Sequence, residues 1–201
     1  MFLQESTLLE RFEVLQESEG GEKTYRLRGV FSKAGVINKN NRIYSREIME
    51  EAVEDANSLI KAGRFVGEIE HPSTPKINLE RISHKITELK ITSDGSVIGE
   101  MVPAGPAKNI LIELLKDKIN VGVSTRGVGS VKPTKTPIGE SVLEVQRGYK
   151  MSAIDIVHDP SAGTFPEAVF ESTEYSERSN IYAVSYNFKG VWNEVFNKGL
   201  K

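Results

Sequence analysis

The chain contains no cysteine, which removes disulfide frameworks, thiolate nucleophiles and cysteine-bound zinc from consideration. A reducing compartment is permitted by that absence. Long apolar runs are also lacking. Nothing approaches the roughly 18 residues of a membrane-spanning helix, and Glu5 and Glu10 stand where a signal peptide would carry basic residues, so a cytoplasmic setting is expected. Neither sign of charge dominates: 26 Lys and Arg face 28 Asp and Glu, a net charge of -2. No basic excess points to nucleic acid. Histidine is scarce, with three residues, so each can be weighed separately.

What is present suits an ordinary globular protein. A chain of 201 residues with 38% hydrophobic and 27% charged residues can bury a core without staples, as one domain with appendages. Leu3, Leu8, Leu9, Phe12 and Leu15 lie at near-helical spacing before Gly20-Gly21. They predict an amphipathic, propeptide-like helix over residues 1–20. Tyr25 to Phe31 alternates as a strand does. Ser45 caps a predicted helix that runs from Glu47 to Lys61 and stops at Gly63. A short strand spans Phe65 to His71. Two more, Ile82 to Ile91 and Ser96 to Val102, flank the hairpin signal Asp94-Gly95. Residues 109–118 read as a second helix, and Val121 to Ser124, Ser141 to Gln146 and Tyr149 to Val157 as further strands.

About seven strands with two inserted helices predict an α+β fold on an antiparallel sheet or β-barrel core. The principal domain is expected over residues 21–170. Residues 171–180 are polar and read as a linker. The tail that follows carries Tyr182, Tyr186, Phe188, Trp192 and Phe196, so it is expected to dock on this domain or on a partner.

Chemistry concentrates in three places. Val121-Gly122-Val123-Ser124-Thr125-Arg126-Gly127 sets a serine among glycines and an arginine, as acyl transfer needs, though a turn serine between strands would read alike. His71 ends the segment GEIEHP just before Pro72, where the chain must turn. Asp155 lies within the apolar run Met151 to Val157, and an ionised carboxylate there needs a partner. A histidine would make it an orienting acid; backbone or an arginine would make it structural. His84 falls inside an alternating run as a half-buried strand residue, and His158, close in sequence to Asp155, either supports the other candidates or is a loop residue. A metal reading would join His71, His84, Glu68 and Glu70, but no HExxH spacing supports it, so no metal or cofactor is expected. The order His71, Ser124, Asp155 differs from those of the chymotrypsin, subtilisin and α/β-hydrolase scaffolds.

GVFSKAGVINKNNRIY, GEIEHP, VGVSTRGVGS and AIDIVHDPSAGTF, in that order from Gly29 to about Val169, resemble the prohead core protein proteases of tailed phages, myovirus type. That family is related in fold to the herpesvirus assemblin proteases. The resemblance implies a serine endopeptidase with a β-barrel core, in which His71, Ser124 and Asp155 fall on base, nucleophile and orienting acid. Because assemblins use a second histidine, His158 keeps a claim to the third place. Backbone amides near Arg126 and Gly127 become oxyanion candidates. The resemblance also implies cleavage after glutamate in Leu/Ile-x-Glu contexts, with scaffold and capsid proteins as substrates inside the assembling prohead. It leaves a homodimer open, since assemblins dimerise.

On that reading Leu3-Gln4-Glu5, Leu8-Leu9-Glu10 and Leu15-Gln16-Glu17 become self-cleavage candidates, and Val169-Phe170-Glu171 a looser one. A helix rich in Leu, Gln and Glu by propensity alone is the plainer explanation of the first three. Two other functions stay open: a catalytically silent scaffold component of the prohead, and a metal-dependent hydrolase using His71 and His84. Arg42, Arg126 and Lys150 are the cations available to a glutamate pocket.

Overall fold

The computed structural model describes residues 1–7, 12–19, 22–38, 40–119, 121–158 and 181–184. In chain order the elements are β1 (Phe2–Thr7), β2 (Phe12–Glu19), β3 (Glu22–Lys33), β4 (Arg42–Ile43), α1 (Arg46–Lys61), β5 (Val66–Glu68), β6 (Ile82–Ile91) and β7 (Ser96–Pro103), then α2 (Lys108–Lys116), β8 (Gly122–Val128), β9 (Val131–Lys135), β10 (Ser141–Val145), β11 (Lys150–Val157) and β12 (Ile181–Val184). The fold is mixed α+β with mostly antiparallel sheets.

Among the described residues three sheets form, in the orders β1-β8-β11, β4-β10-β9 and β12-β2-β3-β7-β6-β5. Among the described strands only β4 and β10 pair in parallel, and an isolated parallel bridge joins Ile69 to Ile156. The expected closed barrel of about seven strands is not formed among the described residues. Just after the three-residue β5 the chain meets β11 at one isolated bridge, Ile69 to Ile156, and Glu70 then turns into the left-handed region at φ 60° and ends the pairing. The large and small sheets therefore abut without closing.

Local chemistry accounts for most elements. The Ser45 hydroxyl accepts from the Ile48 amide and satisfies one free donor at the start of α1. That helix buries Ile48, Met49, Ala52, Val53 and Ala56, an i, i+3, i+4 stripe in the core that also holds Leu27, Phe31, Ile86 and Leu89. Asp94-Gly95 does make the β6–β7 hairpin: Gly95 takes φ +82°, and its amide donates to the Thr92 carbonyl.

The N-terminal helix expected over residues 1–20 is replaced by two strands. β1 pairs antiparallel with β8, and β2 with β3. A short isolated helix is marginal in water, whereas sheet edges offer those backbone groups immediate partners. The tail also contributes: Ile181 to Val184 pairs with Val14 to Glu17 of β2. Trp192, Phe196 and the expected linker lie outside the described residues, as do Glu10 and Glu171. No helix among the described residues is long and apolar enough to cross a membrane.

Candidate active site

Two neighbouring strands bring the serine and the aspartate together. In the β8–β11 ladder Ser124 stands directly opposite Asp155, so both side chains share one sheet face, and Arg126, two residues along, shares it too. His71 arrives from the segment after β5. Its approach is fixed by backbone: the Glu70 amide donates to the Ile156 carbonyl at 2.7 Å, and Arg81 donates to the carbonyls of Ile69 and Glu70. The left-handed Glu70 re-aims the chain, and its carboxylate accepts from the His158 amide at 2.9 Å.

His71 Nδ1 lies 2.8 Å from Asp155 Oδ2, and His71 Nε2 is hydrogen-bonded to Ser124 Oγ. Since a carboxylate only accepts, Nδ1 carries the proton and Nε2 is left to accept from the hydroxyl. Ser124 and Asp155 are fully buried, while the His71 side chain keeps 17% of its surface exposed.

The buried aspartate has more than one partner. Asp155 Oδ1 accepts from the Glu68 amide and from Arg126 Nη2, both at 3.0 Å, and Arg126 Nε lies 2.9 Å from Oδ2. The same guanidinium reaches Glu68 Oε1 at 2.9 Å and donates to the carbonyls of Thr74 and Lys76. Arg126 and Glu68 are fully buried as well. One arginine thus compensates two buried carboxylates and ties the loop after His71 to β8. Arg81 Nε adds a second positive charge 3.5 Å from Glu68 Oε2.

The structure brings together Ser124, His71 and Asp155, the three residues singled out in the sequence, and gives the aspartate a histidine as well as an arginine and a backbone amide. Sequence reasoning missed Glu68 as the second carboxylate on Arg126, naming it only as a metal ligand. The signal lay in alternation, because a buried arginine two residues from Ser124 needs an acid on the same face. His158 is exposed, and its backbone amide donates to the Glu70 carboxylate. Gly127 leaves no room for a side chain: a Cβ would lie 2.5 Å from the Lys150 carbonyl and from Tyr149 Cε2. Lys150 pairs with Asp55 on α1.

His84 is fully buried rather than half-buried, and both its ring nitrogens are taken. Nε2–H donates to the Ile154 carbonyl and Nδ1 accepts from Ser83 Oγ, each at 2.8 Å. No group of three or more metal-ligating side chains is assembled among the described residues, so the His71–His84 metal reading has no geometry behind it. Gly67 makes room for this imidazole, because a Cβ there would lie 1.8 Å from the Ile154 carbonyl and 2.3 Å from His84 Nε2.

Burial pushes the His84 imidazole down from 6.5 to about 4, against the opposing pull of the Ile154 carbonyl and Asp155. Between those values the unfolded chain binds a proton that the folded chain refuses. Stability is therefore complete above 6.5 and declines as pH falls toward about 4, by on the order of 3 kcal/mol. Urea unfolding across that range should show the decline in the wild type and a shallower one in His84→Gln; parallel profiles would assign the acid sensitivity to other groups.

A hydroxyl, an imidazole and a carboxylate hydrogen-bonded in series constitute a site of the serine hydrolase class. The chain belongs to the prohead core protein serine protease family, whose model matches residues 5–179. It is a serine protease. It is 29% identical over 164 residues to the prohead core protein protease of Enterobacteria phage T4, covering 78% of this chain and 73% of that protein. The solved structure of the bacteriophage T4 capsid assembly protease is similar in fold, with a TM-score of 0.65 and 25% identity over 80% of this chain and 98% of that one.

Proposed function

We propose that the chain is an endopeptidase of phage capsid assembly that cuts scaffold and capsid proteins, and itself, after glutamate in Leu/Ile-x-Glu contexts inside the prohead. The observation that carries this reading is His71 bonded to Ser124 through one nitrogen and to Asp155 through the other. His71 takes the Ser124 proton as the oxygen attacks the scissile carbonyl, then returns it to the leaving amine. Water resolves the acyl-enzyme by the same path. Asp155 holds the tautomer and balances the imidazolium, and Arg126 and the Glu68 amide hold Asp155. The Arg126 side chain is spent on that task, so an oxyanion would be met by backbone amides of β8, with Gly127 the candidate. The family and the assembled series both favour an enzyme over a silent scaffold component.

Two measurements on the purified chain test this function. A serine-directed phosphonylating reagent should add once, at Ser124, and block hydrolysis of a Leu-x-Glu peptide. Intact mass during incubation should fall to species ending at Glu5, Glu10, Glu17 or Glu171, or beginning at the residue that follows one of them, in the wild type and not in Ser124→Ala. Labelling at another serine, or a mass that stays constant while the peptide is cut, would overturn nucleophile or self-cleavage respectively.

A further inference from the structure

At the parallel bridge between Ile69 and Ile156, the Glu70 amide donates to the Ile156 carbonyl at 2.7 Å. A parallel ladder repeats at even intervals, so the amide two residues earlier, that of Glu68, belongs on the carbonyl of Ile154. It goes elsewhere. Glu68 donates to the Asp155 side chain, to Oδ1 at 3.0 Å, and the Ile154 carbonyl accepts from His84 Nε2 at 2.8 Å instead. A side chain of β6 has taken the place of a ladder amide. The local sequence makes this substitution possible, because Gly67 stands opposite His84 in the β5–β6 pairing and carries no side chain over which the ring would have to climb. A Cβ there would lie 1.8 Å from the Ile154 carbonyl and 2.3 Å from Nε2. Since a carbonyl only accepts, Nε2 carries the ring proton, and Nδ1 accepts from Ser83 Oγ at 2.8 Å. His84 and Asp155 are both fully buried, so bulk water is not an alternative partner for either.

We propose that His84 is a positioning residue for hydrolysis: by meeting the Ile154 carbonyl it releases the Glu68 amide to hold Asp155. The proposal rests on Asp155 being the acid that orients His71. The Glu68 amide has a single proton. Given to Asp155, it fixes Oδ1 while Oδ2 faces His71 Nδ1 at 2.8 Å. Given to Ile154, it leaves Arg126 Nη2 to hold Oδ1, and the carboxylate gains freedom to turn away from the imidazole. An orphaned buried carbonyl is costly, so without His84 the Ile154 oxygen competes for that proton. His84 acts through two backbone groups and not on the substrate, so turnover rather than substrate affinity registers its loss.

The test compares two full-length variants on a Leu-x-Glu peptide. His84→Phe keeps a ring and deletes the donor; His84→Gln keeps an amide nitrogen that reaches the same carbonyl. The phenylalanine variant should lose at least about tenfold in kcat with KM held within about twofold, because a slightly misplaced catalytic group is costly. The glutamine variant should recover kcat to within about threefold of the wild type. Equal losses in the two variants would mean that His84 only fills space, and a phenylalanine variant with unchanged kcat would mean that it does nothing for the site; either result overturns the proposal. In His84→Phe the Glu68 amide proton should also move upfield in the NMR spectrum, as a charged acceptor gives way to a neutral one, and an unmoved resonance counts against it equally. Should both variants misfold, the unmodified chain carries the test. Scalar couplings across hydrogen bonds should join the Glu68 nitrogen to the Asp155 carboxylate carbon and His84 Nε2 to the Ile154 carbonyl carbon; a coupling from Glu68 to Ile154 overturns the proposal. Asp155→Asn separates the two ideas. If it cuts as fast as the wild type, Asp155 does not orient His71 and the reading beneath the proposal fails; if it is slow while His84→Phe keeps its kcat, the role of His84 alone is wrong.

Discussion

Ser124→Ala should lower peptide hydrolysis by at least about 10⁴-fold while leaving the unfolding midpoint nearly unchanged. The substitution removes one oxygen from a fully buried position and opens no large cavity. What it orphans is the acceptor nitrogen of His71, a group with 17% of its side chain still exposed. Water can replace the lost donor there, so the stability cost stays within about 1 kcal/mol. The kinetic cost is far larger because, among the described residues, no other hydroxyl is bonded to that imidazole. His71→Ala should be about as severe, and the double variant barely worse, since groups that act as one unit do not contribute additively. Initial rates on a Leu-x-Glu peptide, with urea unfolding alongside, settle the matter. A Ser124→Ala rate within tenfold of the wild type would sink the assignment.

The same residues show how far the sequence carries. Asp155 was conspicuous because a carboxylate inside an apolar strand demands a partner, and the structure supplies His71, Arg126 and the Glu68 amide. The periodic elements were legible for similar local reasons: Ser45 caps α1 and Gly95 turns the β6–β7 hairpin. Register was not. That Ser124 faces Asp155 depends on how β8 aligns with β11, and a slip of one residue would have sent the aspartate to the opposite face. The N-terminal strands were hidden because leucine spacing in residues 1–20 fits a helix equally well, and only the open edges of β8 and β3 decide for strand. Nothing local announced the left-handed Glu70, which both aims His71 and ends the pairing that a closed barrel would need.

Arg126→Met should destabilise the chain by about 3–5 kcal/mol, the cost of stranding buried carboxylates, and abolish hydrolysis with it. Two acids depend on this guanidinium, Glu68 through Nη2 at 2.9 Å and Asp155 through Nη2 and Nε. All three groups are fully buried, so the attraction is little screened and neither acid can turn to bulk water. Methionine fills similar volume, which keeps packing loss small and isolates the electrostatic part. Arg126→Lys should fall between, because one ammonium cannot serve both acids and the carbonyls of Thr74 and Lys76 at once. Pairing Arg126→Met with Glu68→Gln removes one stranded charge, so part of the stability should return, by more than independent effects would allow. Hydrolysis should stay low in that double variant, because Asp155 still lacks the fork that orients it toward His71. Urea unfolding of the four members of the cycle measures the coupling directly. A loss below about 0.5 kcal/mol for Arg126→Met, the range of an ordinary surface change, would show that the acids find other compensation and that Arg126 does not hold Asp155.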